Sequence, residues 1–187
     1  MPAQQASSGT LFRYVALLRG INLGSKNKLP MKELAEFFAE AGCGNVVTYV
    51  QSGNIVFSAT TRLAAQLPEL IITEIGNHFG HRPPIILRTA KQLADVISNN
   101  PFLQVGASEE TLHVLFLADS PGAREIANLD PNRSPPDTFT VSGQEIYLRL
   151  PNGVAKSKLT NDYFDGMLRT ISTGRNWRTV KKLFELT

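Results

Sequence analysis

The chain has 187 residues, of which 42% are hydrophobic and 19% charged, a composition typical of a globular protein with a buried core. Its net charge of +3 is too small for a protein that coats DNA, although it permits a locally basic face. The single cysteine, Cys43, excludes an intrachain disulfide.

The histidines and cysteine have no metal-ligand spacing, so the sequence predicts neither a metal nor a cofactor. No apolar run approaches the length of a membrane span, so no membrane partner is expected. Residues 1–10 are polar and lack the basic and apolar regions of a signal peptide. We therefore expect a flexible tail at residues 1–10 and a cytoplasmic protein.

The first half of the chain is predicted to alternate strands and helices. Aromatic and aliphatic residues predict a strand at 12–18, and helical spacing predicts a helix from about Pro30 that ends at Gly42. The following elements are strands at 46–50 and 55–58, a helix at 62–79 and a strand at 85–88. Residues 51–54 predict a hairpin turn between the two short strands, and Pro68 predicts a break or an internal start in the helix.

The second half is predicted to begin with a capping box at residues 89–92, which opens a helix that extends to about Ser98. Ser120 and Pro121 have the pattern of a helix start. The remaining predicted elements are strands at 113–118, 138–141 and 145–150 and helices at 155–170 and 176–186.

The order β-α-β-β-α-β of the first half is that of a ferredoxin-like, or split βαβ, unit. The second half repeats β-α-β-β-α without a clear repeat at residue level. We therefore predict an α+β fold of two ferredoxin-like subdomains with antiparallel-rich sheets. Residues 11–90 would form the first subdomain, and residues 91–187 would form the second together with a C-terminal helix.

Four segments resemble a known bacterial family. Residues 14–22 (YVALLRGIN) and 48–57 (TYVQSGNIVF) are similar to its first two signatures. Residues 152–159 and 175–180 (RNWRTV) are similar to the later ones. The family is named domain of unknown function 1697, and the resemblance implies two ferredoxin-like subdomains and no established activity.

Basic and amide residues are concentrated near both ends of the chain. Residues 19–32, 149–158 and 169–182 contain several Lys and Arg residues and no acid. The glycines of the loop at 19–28 could present backbone N–H groups to an anion, although a structural turn capped by Asn22 is an alternative. An Arg at a helix start opposes the helix dipole, so the segment from Arg175 favours a bound anion or a buried acceptor.

We therefore predict a surface that binds an anionic ligand, either a nucleic acid or a phosphometabolite. Two alternatives stay open. The first is an enzyme that uses the same pocket, with Tyr49, Ser52 or Lys158 as the proton-handling group. The second is a protein-interaction module whose basic face meets an acidic partner. Oligomeric state is not predictable from the sequence. The candidate ligand-binding residues are Arg19, Asn22, Lys26, Lys28, Tyr49, Gln51, Ser52, Asn54, Lys158, Arg175, Asn176 and Arg178.

Overall fold

The structure is a computed structural model that describes residues 9–187. The predicted tail therefore lies, for residues 1–8, outside the described residues. Each half of the chain forms a four-stranded antiparallel sheet with helices packed on it. The predicted fold class, two ferredoxin-like units with antiparallel sheets, is confirmed.

The first sheet has the strand order β2-β3-β1-β4. Its hairpin joins β2 to β3, and helices α1 and α2 connect β1 to β2 and β3 to β4. The elements are β1 (Leu11–Leu18), α1 (Met31–Glu40), β2 (Gly44–Thr48), β3 (Asn54–Thr60), α2 (Thr61–Phe79), β4 (Ile85–Thr89) and α3 (Ala90–Ser98). Helix α3 opens with the predicted capping box, in which Thr89 and Gln92 satisfy each other's backbone N–H groups.

The second sheet repeats this topology with the order β6-β7-β5-β8. Two short helical segments precede or interrupt it, and a final helix follows its last strand, as α3 follows β4. The elements are α4 (Pro101–Gln104), β5 (Leu112–Leu117), α5 (Ala123–Ala127), β6 (Thr138–Ser142), β7 (Glu145–Arg149), α6 (Asn161–Leu168), β8 (Ser172–Asn176) and α7 (Trp177–Glu185).

The two sheets share one apolar layer. On β1, Val15 and Leu17 point into this layer. The alternate residues Tyr14, Ala16 and Leu18 face the core beneath α1 and α2. On β5, Val114 and Phe116 point into the same layer, where α3 and α7 also pack. A third core lies between the opposite face of the second sheet and α6. The side-chain alternation of each central strand therefore fixes how the halves meet.

Three local predictions are wrong. Helix α2 continues through Pro68 without a break, because Leu67 and Ile71 on its buried face hold it against the sheet despite the lost hydrogen bond. The predicted helix start at Ser120 and Pro121 is displaced, since α5 begins at Ala123.

The third wrong prediction concerns the end of the chain. The predicted helix at 155–170 is shortened to α6, and strand β8 occupies residues that had no strand pattern. Strand β8 has the sequence STGRN and no apolar alternation, because its side chains form hydrogen bonds between elements.

None of the helices in residues 9–187 is long and apolar enough to cross a membrane.

Candidate functional site

The centre of the candidate site is Arg175 on β8, whose side chain joins the two sheets. Arg175 is 7% exposed and projects toward the ends of β1 and β3. Its Nη2 donates to the carbonyl oxygen of Leu18 at 2.8 Å and to those of Ser52 and Gly53 at 3.1 and 3.2 Å. Its Nε donates to the Oδ1 atom of Asn54. The guanidinium therefore links β8 to the end of β1 and the β2–β3 hairpin.

The remaining donors of Arg175 are also committed. Its Nη1 donates to Thr173 Oγ1 at 2.9 Å and to the carbonyl oxygen of Gly174 at 2.7 Å. A guanidinium has five N–H donors, so all of them have protein acceptors, and all of these acceptors are neutral. Burial lowers the pKa of Arg175 to about 10, so the side chain keeps its charge at neutral pH. It is a buried charge without a bonded carboxylate.

Arg88 forms the corresponding bridge on the other side of the molecule. It is the fourth residue of β4, as Arg175 is the fourth of β8, and it is buried. Its Nη2 donates to the carbonyl oxygens of Leu117, the last residue of β5, and Gln144 in the β6–β7 turn, at 2.8 and 3.0 Å. The acceptors of Arg175 at the end of β1 and in the β2–β3 hairpin occupy the equivalent places. Each half thus donates an arginine to the same kind of site in the other half, and a pseudo-twofold axis relates the two contacts.

The two bridges differ in charge. The Nε of Arg88 donates to the carboxylate of Glu145, the first residue of β7, at 2.8 Å. The equivalent partner of Arg175 is the amide of Asn54, the first residue of β3. Because an amide carries no charge, Arg88 is neutralised by its strand partner, whereas Arg175 is not.

Two neighbouring cavities border Arg175 and together form what we call the cleft. The first cavity, of about 390 Å³, is lined by Arg19, Ile21, Ser52, Asp162 and Arg175 among others. The second, of about 380 Å³, has walls of Leu115, Leu148, Leu150, Val154 and Leu159, with His113 and Asn176 at its edge. Both cavities are lined by Thr160, Asn161, Gly174 and Arg175. Both cavities are mainly apolar, the first has the larger share of polar and charged lining groups, and Arg175 borders both.

Arg19, a predicted ligand-binding residue, lines the first cavity but is paired with acids. Its Nη2 lies 2.6 Å from Asp162 Oδ1, and its Nη1 pairs with Asp165, both on α6. The carboxylate of Asp165 also accepts from Ser172 Oγ at 2.6 Å. The Asp162 side chain is 91% exposed. The segment around Arg19 contains no acid of its own, and the carboxylates that neutralise Arg19 come from a helix more than 140 residues away in the chain.

The loop at 19–28 and the hairpin turn at 51–54 lie together. Asn22 Nδ2 donates to the carbonyl oxygen of Gln51 at 2.9 Å, and its Oδ1 accepts from the N–H of Leu29. The side chain of Asn22 therefore caps the turn of the loop, which is the structural alternative to anion binding. Lys26 and Lys28 are exposed, and neither lines the cleft.

The other candidates divide between the cleft and the rest of the surface. Ser52 lines the first cavity, and its Oγ accepts from Asn54 Nδ2 at 2.9 Å. Tyr49 packs against the layer between the sheets, and exposed Lys158 lies outside both cavities. Gln51 is exposed at the hairpin.

The start of α7 separates structural from exposed residues. Asn176 is its N-cap, with Oδ1 accepting from the N–H of Thr179 at 2.8 Å, and it also lines the second cavity. Trp177 is 1% exposed and packs in the core that the two sheets share. Arg178 is exposed and lines neither cavity.

Sequence reasoning missed Arg88, Glu145 and the two aspartates that pair with Arg19. A signal for the bridges was present, because Arg88 and Arg175 each directly precede the N-cap of a helix at the end of a strand. No local signal marks Asp162 and Asp165, which approach Arg19 only through the packing of α6. Among residues 9–187 no three His, Cys, Asp or Glu side chains are grouped as a metal site requires.

Comparison with known families accounts for most of the chain. The model of the family described as protein of unknown function (DUF1697) matches residues 11–147. The chain belongs to this family. The matched region ends before residues 152–159 and 175–180, so their resemblance to the later signatures stays a prediction.

A solved structure, described as that of the conserved bacterial protein SP0830 from Streptococcus pneumoniae, has a similar fold. It is 23% identical, with a TM-score of 0.71, and the alignment covers 95% of this chain and 99% of that one. A search of curated proteins found no match. At this identity the similarity shows the fold alone.

Proposed function

We propose that this protein binds a small anionic molecule of the phosphometabolite class in the cleft beside Arg175. The observation that carries the proposal is the difference between the two arginine bridges. Arg88 has a carboxylate partner, Glu145, whereas Arg175 has the neutral Asn54 in the same place and borders two cavities. An anion in the cleft would compensate the charge of Arg175, a buried cation that has no carboxylate partner among residues 9–187.

The energy available from this charge is large enough to matter. Two unit charges about 7 Å apart interact by roughly 2–3 kcal/mol at an effective dielectric constant of about 20. That corresponds to about a fiftyfold gain in affinity for an anion over a neutral molecule of the same shape. Because all N–H groups of Arg175 already have acceptors, this contribution acts through the field and not through a new hydrogen bond.

Direct hydrogen bonds to the anion would come from the other side of the first cavity. The backbone N–H groups of Gly20 and Ile21 have no acceptor within residues 9–187, and both residues line this cavity. Gly20 has a φ of 70°, a conformation in which consecutive N–H groups can converge on one anion. Arg19 is adjacent, and its partner Asp162 is free to turn into solvent because that side chain is almost fully exposed.

The shape of the cleft favours a small molecule over a nucleic acid. Its cavities have the volumes of small-ligand pockets, and they are concave. Lys26, Lys28, Lys158 and Arg178 are exposed, but none of them lines the cleft. Single-stranded RNA is bound mainly by aromatic side chains on an open sheet face, whereas the central strands here are aliphatic and covered.

The enzyme and protein-interaction alternatives have weaker support. Of the three proton-handling candidates, Ser52 alone lines the cleft, and its hydroxyl accepts from Asn54 without a histidine partner within residues 9–187. For an interaction surface, Arg19 would have to lose two carboxylates that already neutralise it. We therefore keep ligand binding as the proposed function.

The test is to neutralise Arg175 with a carboxylate, as Glu145 neutralises Arg88. In Asn54→Asp, a carboxylate would stand where Glu145 stands beside Arg88, with almost no change of volume. The hydrogen bonds from Asn54 Nδ2 to Tyr49 O and Ser52 Oγ would be lost, so the stability of the variant is measured alongside its affinity. Titration calorimetry with inorganic phosphate should show binding to the wild type and at least about a tenfold loss in the variant. Asn77→Asp, an exposed residue of α2, makes the same change of net charge and should bind within about twofold of the wild type.

Two results would contradict the proposal. One is equal phosphate affinity of the wild type and Asn54→Asp, with the variant shown to be folded by circular dichroism. The other is tight, steeply salt-dependent binding of a 12-nucleotide RNA that Lys26→Ala and Lys28→Ala weaken and Asn54→Asp does not. This second result would establish nucleic acid as the ligand.

A further inference from the structure

The second cavity adds a chemical requirement to the ligand. It shares four lining residues with the first cavity, and five aliphatic side chains form its walls: Leu115, Leu148, Leu150, Val154 and Leu159. It lies on the face of the second sheet that α6 covers further along, at the end where α6 begins. The four leucines are at most 5% exposed and Val154 at the rim is 58% exposed, so the cavity is a recess whose walls are favourable for an apolar group of a ligand.

Gly174 is one of the four residues that line both cavities. A Cβ atom at this position would lie 2.9 Å from Leu115 Cδ2 and 3.7 Å from Asn161 Oδ1. Its backbone lies outside the left-handed region, so the strand geometry does not require glycine here. Glycine keeps side-chain atoms out of the boundary that the two cavities share, which we call the passage.

The walls of the second cavity carry no charge apart from Arg175. The remaining titratable group, His113, is half-buried at its edge, and burial lowers the pKa of this imidazole. The ring is therefore neutral at pH 7. A charged group would be desolvated in this cavity without a partner, except beside Arg175 at its entrance.

From this arrangement we infer that the ligand is an amphipathic anion, with its anionic group in the first cavity and an alkyl or aryl substituent in the second. The inference rests on the proposed function, because it uses the same charged site. Arg175 lies at the junction, where it faces the anionic end and leaves the aliphatic walls to the substituent. Gly174 is then a specificity-determining residue that admits the substituent past the strand.

The test compares methyl phosphate with hexyl phosphate, which have the same anionic group. Each fully buried CH₂ is worth about a fourfold gain in affinity, so a partly buried hexyl chain should bind at least about tenfold more tightly. In Gly174→Thr the passage is filled, and this gain should fall to about twofold or less while methyl phosphate still binds. The Leu115 side chain must shift to admit the threonine Cβ, so the fold of this variant is checked by circular dichroism.

A second variant tests the same alkyl contact without a change in β8. Val154 lies in a short 3₁₀ turn and is 58% exposed at the rim of the second cavity. Val154→Asp should remove most of the chain-length gain, because a carboxylate would stand beside the alkyl group. Val105→Asp is the matched control, since Val105 is 80% exposed and lines neither cavity, and it should leave the gain unchanged.

The outcomes separate the two proposals. If methyl and hexyl phosphate bind equally to the wild type, the amphipathic ligand is wrong and anion binding stands. A chain-length gain that persists in both Gly174→Thr and Val154→Asp would place the alkyl group elsewhere and would also overturn the inference. If neither phosphate binds, both proposals fail.

Discussion

Replacement of Arg175 by alanine should destabilise the protein, and the structure gives the size of the effect. The change removes donors from the carbonyl oxygens of Leu18, Ser52 and Gly53 and from the side chain of Asn54. A buried acceptor left without a donor costs about 1–3 kcal/mol. Part of the total is recovered, because Thr173 still donates to Leu18, the N–H of Leu18 still donates to Gly53, and an uncompensated charge leaves the interior. We expect a net loss of about 2–4 kcal/mol in the free energy of unfolding.

The two other arginines provide the comparison. Arg88→Ala should cost more, about 3–5 kcal/mol, because it strands the Glu145 carboxylate, whose side chain is only 16% exposed. Arg178→Ala removes an exposed side chain at the start of α7 and should change stability by no more than about 0.5 kcal/mol. The order of the three losses therefore follows from burial and from the charge of the partner.

The assay is equilibrium urea unfolding followed by tryptophan fluorescence. Trp177 is the single tryptophan of the chain and lies in the core between the sheets, so its emission reports on the layer that both arginines border. Midpoints and slopes should be fitted together, because a change of slope would signal loss of two-state behaviour. If Arg175→Ala is as stable as Arg178→Ala, the bridge does not hold the sheets together. If Arg175→Ala costs more than Arg88→Ala, the charge argument is wrong.

Three further predictions concern stability and titration. Trp177→Ala should lose about 3–5 kcal/mol of unfolding free energy in a thermal or urea melt followed by circular dichroism, because it empties a fully buried site; a loss below about 1 kcal/mol would contradict the packing. Burial raises the pKa of Cys43 to about 11, so iodoacetamide at pH 8.5 should label the native thiol far more slowly than the urea-unfolded one, and equal rates would refute its burial. Burial lowers the pKa of His113 in the folded protein. Its contribution to stability is therefore fully present above about pH 6.5 and falls as the pH drops below that value. A His113→Gln variant should lose less stability between pH 7 and 5 than the wild type.

Periodicity predicted the elements whose burial alternates along the chain. Strand β1 has every second side chain in one core and the others in the next, and α3 has a complete capping box. Both signals are local, so the sequence contains them in full. Strand β8 was missed for the opposite reason. Its Ser172, Thr173 and Arg175 are buried because they form hydrogen bonds to other elements, and hydrophobic alternation does not register such burial.

The candidate site stays a prediction, although three of its chain segments lie close together in the structure. Residues 19–28 and 175–178 do lie in one region, and the β2–β3 hairpin joins them. The acids of α6 could not be foreseen, because their pairing with Arg19 depends on how the second unit packs on the first. The division of the chain into subdomains at residue 90 stays a prediction, since α3 packs in the layer that the two sheets share.

The comparison of the two bridges gives the strongest physical argument for a ligand. Both arginines occupy the same position in their strand and bind the same kinds of carbonyl oxygen in the opposite half. Holding the halves together therefore does not require an uncompensated charge, because Arg88 does so with a carboxylate partner. Arg175 instead has the neutral amide of Asn54 as its partner, and Arg175 is the arginine that borders the two cavities. A buried charge without a partner is unfavourable by several kcal/mol. An amphipathic anion in the cleft would remove this penalty, and the loss of phosphate binding in Asn54→Asp, without unfolding, is the result that follows from it.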